Sequence, residues 1–395
     1  MPRTRLTLKG VDLRERPLPN RDSRSTMSFN KLSPRRLAIL TLTAALLLLV
    51  TACLPDRPQS TFGPEGKIAR DQLHLFQFIF WIAVIVFVAV EGVLVYFIFK
   101  YRRKAGDTTL PPQIHGNNRL EIAWTILPVF ILAAIAIPTY RTIADHKDPP
   151  EGDALKVEVI GHQWWWEFRY PDLGVVTANE MHIPINKTVV VDLESQDVIH
   201  SFWIPKLAGK TDVVPGRINV MWLVADKEGN YYGQCAELCG LAHAQMRFRV
   251  ISHTQENFDK WVKGQTTAPP QPAANSAAAR GAQTFVTKGC LACHTISGPD
   301  APGVQEGRAQ GFEQGRAVFP APNLAYFGDR GTMAAGLFDL TEDRLAKWLQ
   351  DPDELKPGNR MAELAQAYAD PGSKLSDADI EALVAYLMSR QAVKN

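Results

Sequence analysis

Two short stretches of this chain gather the side chains that bind metals and redox groups. Residues 235–246 read CAELCGLAHAQM and hold two thiols, an imidazole and a thioether, from Cys235, Cys239, His243 and Met246. This is a soft donor set, suited to copper rather than to magnesium or calcium. Zinc would be satisfied by two cysteines and two histidines and would leave Met246 without a role. A pair of coppers held by two sulfurs and two nitrogens needs a second imidazole. His200, placed at a strand end, is the first candidate, and His162 and His182 are rivals on composition. Two bridging thiolates would spread one unpaired electron over two coppers. Little geometry would then change between oxidation states, which favours fast transfer.

The second stretch is Cys290-Leu291-Ala292-Cys293-His294, the pattern of c-type haem attachment. Two thiols add to the haem vinyl groups, and the adjacent histidine is placed to ligate iron. A redox C-x-x-C would need no histidine after it and would sit in a βαβ setting. A thioether opposite the histidine raises the haem potential. Met333, Met361 and Met388 are the candidates. Met388 belongs to an apolar helical stripe and reads as core. Met361 follows the turn-rich segment KPGNR at 356–360, which can present a side chain to iron. The alternative for the paired cysteines is two local disulfides, but bridges across such short loops add little stability.

These two stretches need elements to carry them, and the 395 residues allow two or three compact domains. Residues 1–36 are arginine-rich and without apolar periodicity. Residues 37–50 form an apolar run with the length of a signal-peptide core, and it ends in Val50-Thr51-Ala52-Cys53. Small residues before a cysteine are the pattern of a bacterial lipoprotein cleavage site. We expect a leader over 1–52 and a lipidated Cys53, with either Met1 or Met27 as the start. Residues 76–99 and 120–140 are each long and apolar enough to cross a bilayer, within a hairpin over 53–150. Between them lies Lys100-Tyr101-Arg102-Arg103-Lys104, a cytoplasmic loop by the positive-inside rule. Both ends of the hairpin then face outward, on the periplasmic side of a bacterial inner membrane. Glu91 is the only charge in the first span, and a carboxylate there is costly. Glu121 sits at the cytoplasmic edge, where a carboxylate is cheap.

From residue 155 the pattern turns to strands. Leu155, Val157 and Val159 alternate with Lys156 and Glu158, and Met246, Phe248 and Val250 alternate with Arg247 and Arg249. Short strands at this spacing predict an all-β sandwich or barrel over 151–263. Residues 264–275, GQTTAPPQPAAN, read as a semi-extended linker. Beyond it, residues 276–395 read as a small all-α domain. Ser376-Asp377-Ala378-Asp379 opens a helix in the manner of a capping box. Ile380, Leu383, Val384, Leu387 and Met388 continue it at helical spacing, and Leu345, Trp348 and Leu349 share a face of a shorter helix over 341–350. Residues 298–318 form a Gly-rich, charged insertion.

The segment 235–246 resembles the dinuclear CuA loop of cytochrome c oxidase subunit II. Gly161-His162-Gln163-Trp164-Trp165-Trp166, residues 210–217 (KTDVVPGR) and residues 120–125 (LEIAWT) resemble other parts of that family, across 72–263. The family fold is a helical hairpin followed by a cupredoxin barrel. The resemblance implies that Cys235 and Cys239 bridge the coppers and that His200 and His243 are terminal ligands. It implies Met246 as the weak ligand to one copper and the Glu237 carbonyl as a ligand to the other. The Glu237 carboxylate would bind magnesium at the contact with subunit I. Trp164 would pass the electron in, and Glu121 would lie at the mouth of a proton channel. The loop before Met361 is similar to the methionine loop of class I bacterial cytochromes c, although Ala362 stands where proline is usual.

The net charge of +2 gives no global basic excess for nucleic acid. Neither stretch has an obvious nucleophile or general base beside it. The chain reads as a wire: a haem collects an electron from an external cytochrome c or an upstream respiratory complex and passes it to copper. Oxygen reduction and proton pumping would belong to a complex with subunit I. A quinol oxidase subunit II shares the hairpin and barrel but lacks the copper ligands. A membrane copper chaperone would need neither Met246 nor a haem, and a free-standing membrane cytochrome would need no CuA.

Overall fold

The structure, a computed structural model, describes residues 33–52, 57–106, 108–110, 112–296 and 321–392. Helix α1 (Pro34–Ala52) stands as part of a separate N-terminal unit and covers the apolar run of the expected leader. Cys53, the basic stretch 1–32 and the insertion 298–318 lie outside the described residues.

Helices α2 (Lys67–Lys100) and α3 (Asn118–Lys147) form the hairpin, and both overrun the spans read from hydropathy. At 1.5 Å per residue the 34 residues of α2 make a rod of about 51 Å, against roughly 30 Å of hydrocarbon. Hydropathy stops where charge begins, but the helix continues because its first turn is buried in the next domain. Ile68 and Ala69 are buried there, and Arg70 pairs with Asp226. His146, in the last turn of α3, binds Asp71 at 3.1 Å and accepts from Trp222 Nε1 through its carbonyl at 3.0 Å. Gly66 fits because a Cβ there would stand 2.6 Å from the Val224 carbonyl oxygen. Pro128 and Pro138 lie inside α3, which a membrane helix tolerates where neighbouring groups satisfy the freed carbonyls.

Ten strands follow: β1 (Leu155–His162), β2 (Trp165–Tyr170), β3 (Val175–Ala178), β4 (Glu180–Pro184), β5 (Val189–Ser195), β6 (His200–Trp203), β7 (Thr211–Val213), β8 (Asn219–Leu223), β9 (Gly229–Cys235) and β10 (Arg247–His253). They form two five-stranded sheets, β3-β2-β1-β5-β8 and β4-β10-β9-β6-β7. The pairs β1–β5 and β4–β10 are parallel and the rest antiparallel. The predicted alternation holds on β5, where Val189, Val191 and Leu193 are fully buried. Between the sheets Trp166, Phe168, Phe202 and Phe248 pack edge to face and in stacks, with centroids 4.4–6.2 Å apart. Helix α4 (Gln255–Thr266) lays Phe258 and Trp261 against the same core, so the extended linker begins after Thr266.

The C-terminal domain is built on α5 (Ala277–Thr287), α6 (Glu342–Gln350) and α7 (Asp377–Ser389). Gly281 lets α5 cross α7 closely, since a Cβ would meet the Ala382 carbonyl oxygen at 1.9 Å. The capping box at Ser376 and Asp379 is present, with Leu383, Val384 and Leu387 buried below it. One addition to the expected all-α domain is a two-stranded ribbon, β11 (Thr332–Met333) with β12 (Phe338–Asp339). Hairpin, two-sheet barrel and helical domain are thus the architecture that the sequence implied.

Candidate metal centres

One rim of the barrel gathers the sulfur and imidazole donors. Strand β6 begins with His200, β9 ends with Cys235, and β10 begins one residue after Met246. The loop from β9 to β10 turns back on itself at Gly240, whose φ of +120° suits glycine. Cys235 Sγ lies 3.8 Å from Cys239 Sγ, 3.9 Å from His200 Nδ1 and 3.2 Å from the Glu237 carbonyl oxygen. Cys239 Sγ lies 3.6 Å from His243 Nδ1 and 3.8 Å from Met246 Sδ. A disulfide would bring the sulfurs to about 2.05 Å, so these are two free thiols.

The protonation of the thiols suits a metal. The hydrogen bond with Cys239 pulls the Cys235 thiol far below its usual value, and His200 adds to the effect. The same contact and burial push Cys239 upward. The contact between the two sulfurs thus favours a thiolate on Cys235. Thiolates are the form that binds metal. Two thiolates, two imidazoles, a thioether and a carbonyl fit copper better than they fit a hard ion.

Side chains around this set hold it in place. His200 Nε2 is 2.8 Å from Asp197 Oδ1. That contact fixes the imidazole with its proton on Nε2 and its Nδ1 lone pair towards the sulfurs. Gly161 leaves room for the ring, since a Cβ there would lie 2.7 Å from His200 Cδ2. Gln163 Nε2 and Trp164 Nε1 both donate to the Cys239 carbonyl, at 2.7 and 3.1 Å. Replacing Asp197 with alanine is expected to weaken copper binding by about 10- to 100-fold. Competition against a copper chelator measures this, and an affinity equal to that of the parent chain would refute the role.

The rival histidines are occupied elsewhere. His162 contacts Glu167 at 3.2 Å and stacks on Trp165. His182 contacts His253 at 2.8 Å and stacks on Trp261. The three consecutive tryptophans divide their work. Trp166 fills the core, Trp164 lies against the metal loop, and Trp165 packs on Ala335 of the helical domain. The Glu237 side chain is exposed on the loop. Glu121 accepts from Asn117 N at 3.2 Å, while the Asn117 side chain accepts from Arg119 N and Leu120 N. The structure thus gives Glu121 a capping function at the start of α3.

In the helical domain the motif forms a single 3-10 turn over Cys290–Ala292, entered through Gly289 at a φ of +75°. His294 Nδ1 donates to the Pro322 carbonyl at 2.8 Å, which leaves Nε2 as the lone-pair nitrogen. Cys290 and Cys293 are free, and burial pushes the Cys290 thiol up to about 11. Thr295 Oγ1, beside the motif, is buried without a partner among the described residues. Two free thiols, an oriented imidazole and an unmet polar atom fit a covalently held haem. Met361 lies on a short helix (Arg360–Leu364) capped by Asn359. It packs half-buried against the core cluster that Cys290 also borders, whereas Met333 is buried within it and Met388 packs from α7.

The sequence reading did not single out Asp197, Gln163, Lys356 or Arg360. Asp197 stands three residues before His200, a signal that the spacing did offer. Lys356 Nζ donates to the Trp164 carbonyl at 2.7 Å, and Arg360 Nη2 to Gln163 Oε1 at 2.8 Å. The loop bearing Met361 therefore touches the residues that brace the copper loop.

Known proteins are similar to each of these regions in sequence. The family model of the cytochrome c oxidase subunit II periplasmic domain matches residues 173–253, and that of its transmembrane domain matches 65–142. The cytochrome c model matches residues 278–391. The chain is 37% identical to cytochrome c oxidase subunit 2 of Alkalihalophilus pseudofirmus, over 88% of this chain and 96% of that one. It is 34% identical to cytochrome c oxidase subunit 2 of Bacillus subtilis, over 90% and 98%. A crystal structure of the periplasmic domain of cytochrome oxidase subunit II from Bradyrhizobium japonicum is 37% identical, with a TM-score of 0.28, covering 29% of this chain and 94% of that one.

Proposed function

The chain belongs to the cytochrome c oxidase subunit II family, and from that premise we propose that it is the electron-transfer subunit of a membrane-bound haem–copper oxidase. The observation that carries the proposal is the convergence of His200, Cys235, Cys239, His243 and Met246 on one rim, with the loop of Met361 against it. Cys290 and Cys293 would hold a c-type haem with His294 and Met361 as its iron ligands, and the five rim residues with the Glu237 carbonyl would hold a dinuclear copper centre. When bound, these groups supply one-electron carriers that reorganise little on reduction.

The protein's own part is positioning. Asp197 sets the His200 tautomer, and Pro322 does the same for His294. Trp164 joins the two loops, hydrogen-bonded to Cys239 on one side and to Lys356 on the other. Burial of Trp164, Cys235 and Met246 keeps water from the path. Oxygen reduction and coupled proton pumping take place with a partner subunit I, against which the exposed Glu237 carboxylate offers a hard oxygen ligand for magnesium. The basic segment 100–104 faces the cytoplasm and both redox domains face the periplasm, with a lipid anchor on Cys53. Glu121 would lie at the mouth of a proton path in subunit I.

The test is electron paramagnetic resonance and near-infrared absorption of the full chain loaded with copper and haem. The expected result is a mixed-valence signal shared by two equivalent coppers beside a low-spin haem. A single-copper signal or a silent site would refute the dinuclear reading. Met361→Ala should abolish the sulfur-to-iron absorption band and Met333→Ala should leave it. The reverse result would move the axial role to Met333.

A further inference from the structure

Among the described residues, contacts at four places in particular hold the helical domain against the barrel. First, Glu180, on β4 and 2% exposed, takes no donor from its own strand neighbours in this contact. Its Oε1 accepts from Thr332 N at 2.7 Å and Thr332 Oγ1 at 2.6 Å, and its Oε2 from Gly331 N at 3.2 Å. All three donors belong to the other domain. Second, the turn Ala334-Ala335-Gly336 runs through three positive φ values, 52°, 63° and 70°. Non-glycine residues in that region are strained and persist where the surroundings hold them. Here Ala335 is buried against Trp165 and Ala178, and its carbonyl accepts from Arg247 N at 3.1 Å, one residue after Met246. Third, Lys356 is buried, which pulls its ammonium down to about 7, and its Nζ donates to the Trp164 carbonyl. Fourth, Arg360 reaches Gln163 while its guanidinium lies 5.8 Å from the centre of the Trp164 ring.

A buried carboxylate and a buried ammonium are costly unless each keeps its partner. Arg249 of the barrel adds its charge beside Glu180, but the three hydrogen bonds to Glu180 and the one from Lys356 exist only while the two domains are together. The two residues stand on different segments of the seam, one at the ribbon and one at the methionine loop, so together they resist rotation as well as separation. We propose that Glu180 and Lys356 are positioning residues that lock the haem domain on the barrel in one orientation, so that electron transfer needs no swing of the domain. The inference rests on the proposed electron route. Trp164, only 7% exposed beneath Arg360, is then closed to a soluble donor, and electrons reach copper through the haem.

The experiment uses the full chain in the membrane, loaded with copper and haem. Hydrogen–deuterium exchange is followed in peptides covering 162–166 and 331–336, with internal electron transfer timed after photoreduction of the haem. The parent should protect both peptides and transfer electrons at a rate independent of solvent viscosity. Glu180→Ala and Lys356→Met should each raise exchange at the seam about tenfold, as expected for losing hydrogen bonds to a buried charge. Their internal transfer should slow and become viscosity-dependent while copper and haem spectra stay unchanged. Thr332→Val reaches the same anchor from the other domain, should Glu180→Ala disturb the barrel, and should loosen the 331–336 peptide. Exchange unchanged within about twofold in all three variants would overturn the lock. A parent chain whose transfer already depends on viscosity would overturn it too. Absence of the copper signal from the parent would instead refute the electron route, and the exchange result would still decide the anchors.

Discussion

Replacing Cys235 with serine is expected to remove the dinuclear copper signal completely and to stop electron flow beyond the haem. Cys235 Sγ touches three other donors of the rim, namely His200, Cys239 and the Glu237 carbonyl. Serine keeps nearly the same shape, so the barrel should fold and the haem spectrum should be untouched. What changes is the chemistry. The thiol is held ready to ionise by its bond with Cys239, whereas a hydroxyl keeps its proton near neutral pH and is a hard donor. With the bridging sulfur gone, the remaining donors can hold at most one copper. Electron paramagnetic resonance of the loaded variant checks this. A surviving signal from two equivalent coppers would sink the assignment of Cys235 as a bridge.

Trp166→Ala is expected to be the most destabilising single change in the barrel, at about 3–5 kcal/mol. The side chain is fully buried, and its ring packs edge to face on Phe202 and Phe248 with centroids 5.2 and 5.6 Å away. It also stands 5.8 Å from the His200 ring. Its removal leaves a cavity directly behind His200, so copper retention should fall together with stability. Trp166 Nε1 has no partner among the described residues, so Trp166→Phe gives up no hydrogen bond and should cost less than alanine. Denaturant titration followed by the copper absorption measures both. An alanine variant with an unchanged midpoint would show that the cavity collapses without loss.

Much of the candidate site was legible because its donors are close in sequence. Five of the six rim donors fall within residues 235–246, and the haem motif is five consecutive residues. His200 could be preferred only because it opens a strand, and His162 and His182 were excluded only by contacts with Glu167 and His253. Strands such as β5 were legible because one face meets the core and the other meets water. The start of α2 was not legible. Lys67, Arg70 and Asp71 look like the end of a membrane helix, yet they continue it by pairing with one another, with Asp226 and with His146. For Glu121 the sequence suggests only a place at the cytoplasmic edge and, by resemblance, at the mouth of a proton channel; the cap it shares with Asn117 is visible only in the structure. Glu180 and Lys356 could not be found at all from sequence. Each is an ordinary charge whose partner lies more than 150 residues away.

The shortness of the linker has a consequence for affinity. Only residues 267–275 separate the end of α4 from the cap of α5. A semi-extended, proline-rich tether of that length reaches roughly 28 Å and keeps the haem domain at an effective concentration in the millimolar range. Two free proteins would need a tight, charge-steered interface to meet as often. Here a contact with a Kd of about ten micromolar, roughly a hundredfold below that concentration, is enough to keep the domains together nearly all the time. The salt dependence that marks encounters between separate redox partners should therefore be confined to the arrival of the external donor.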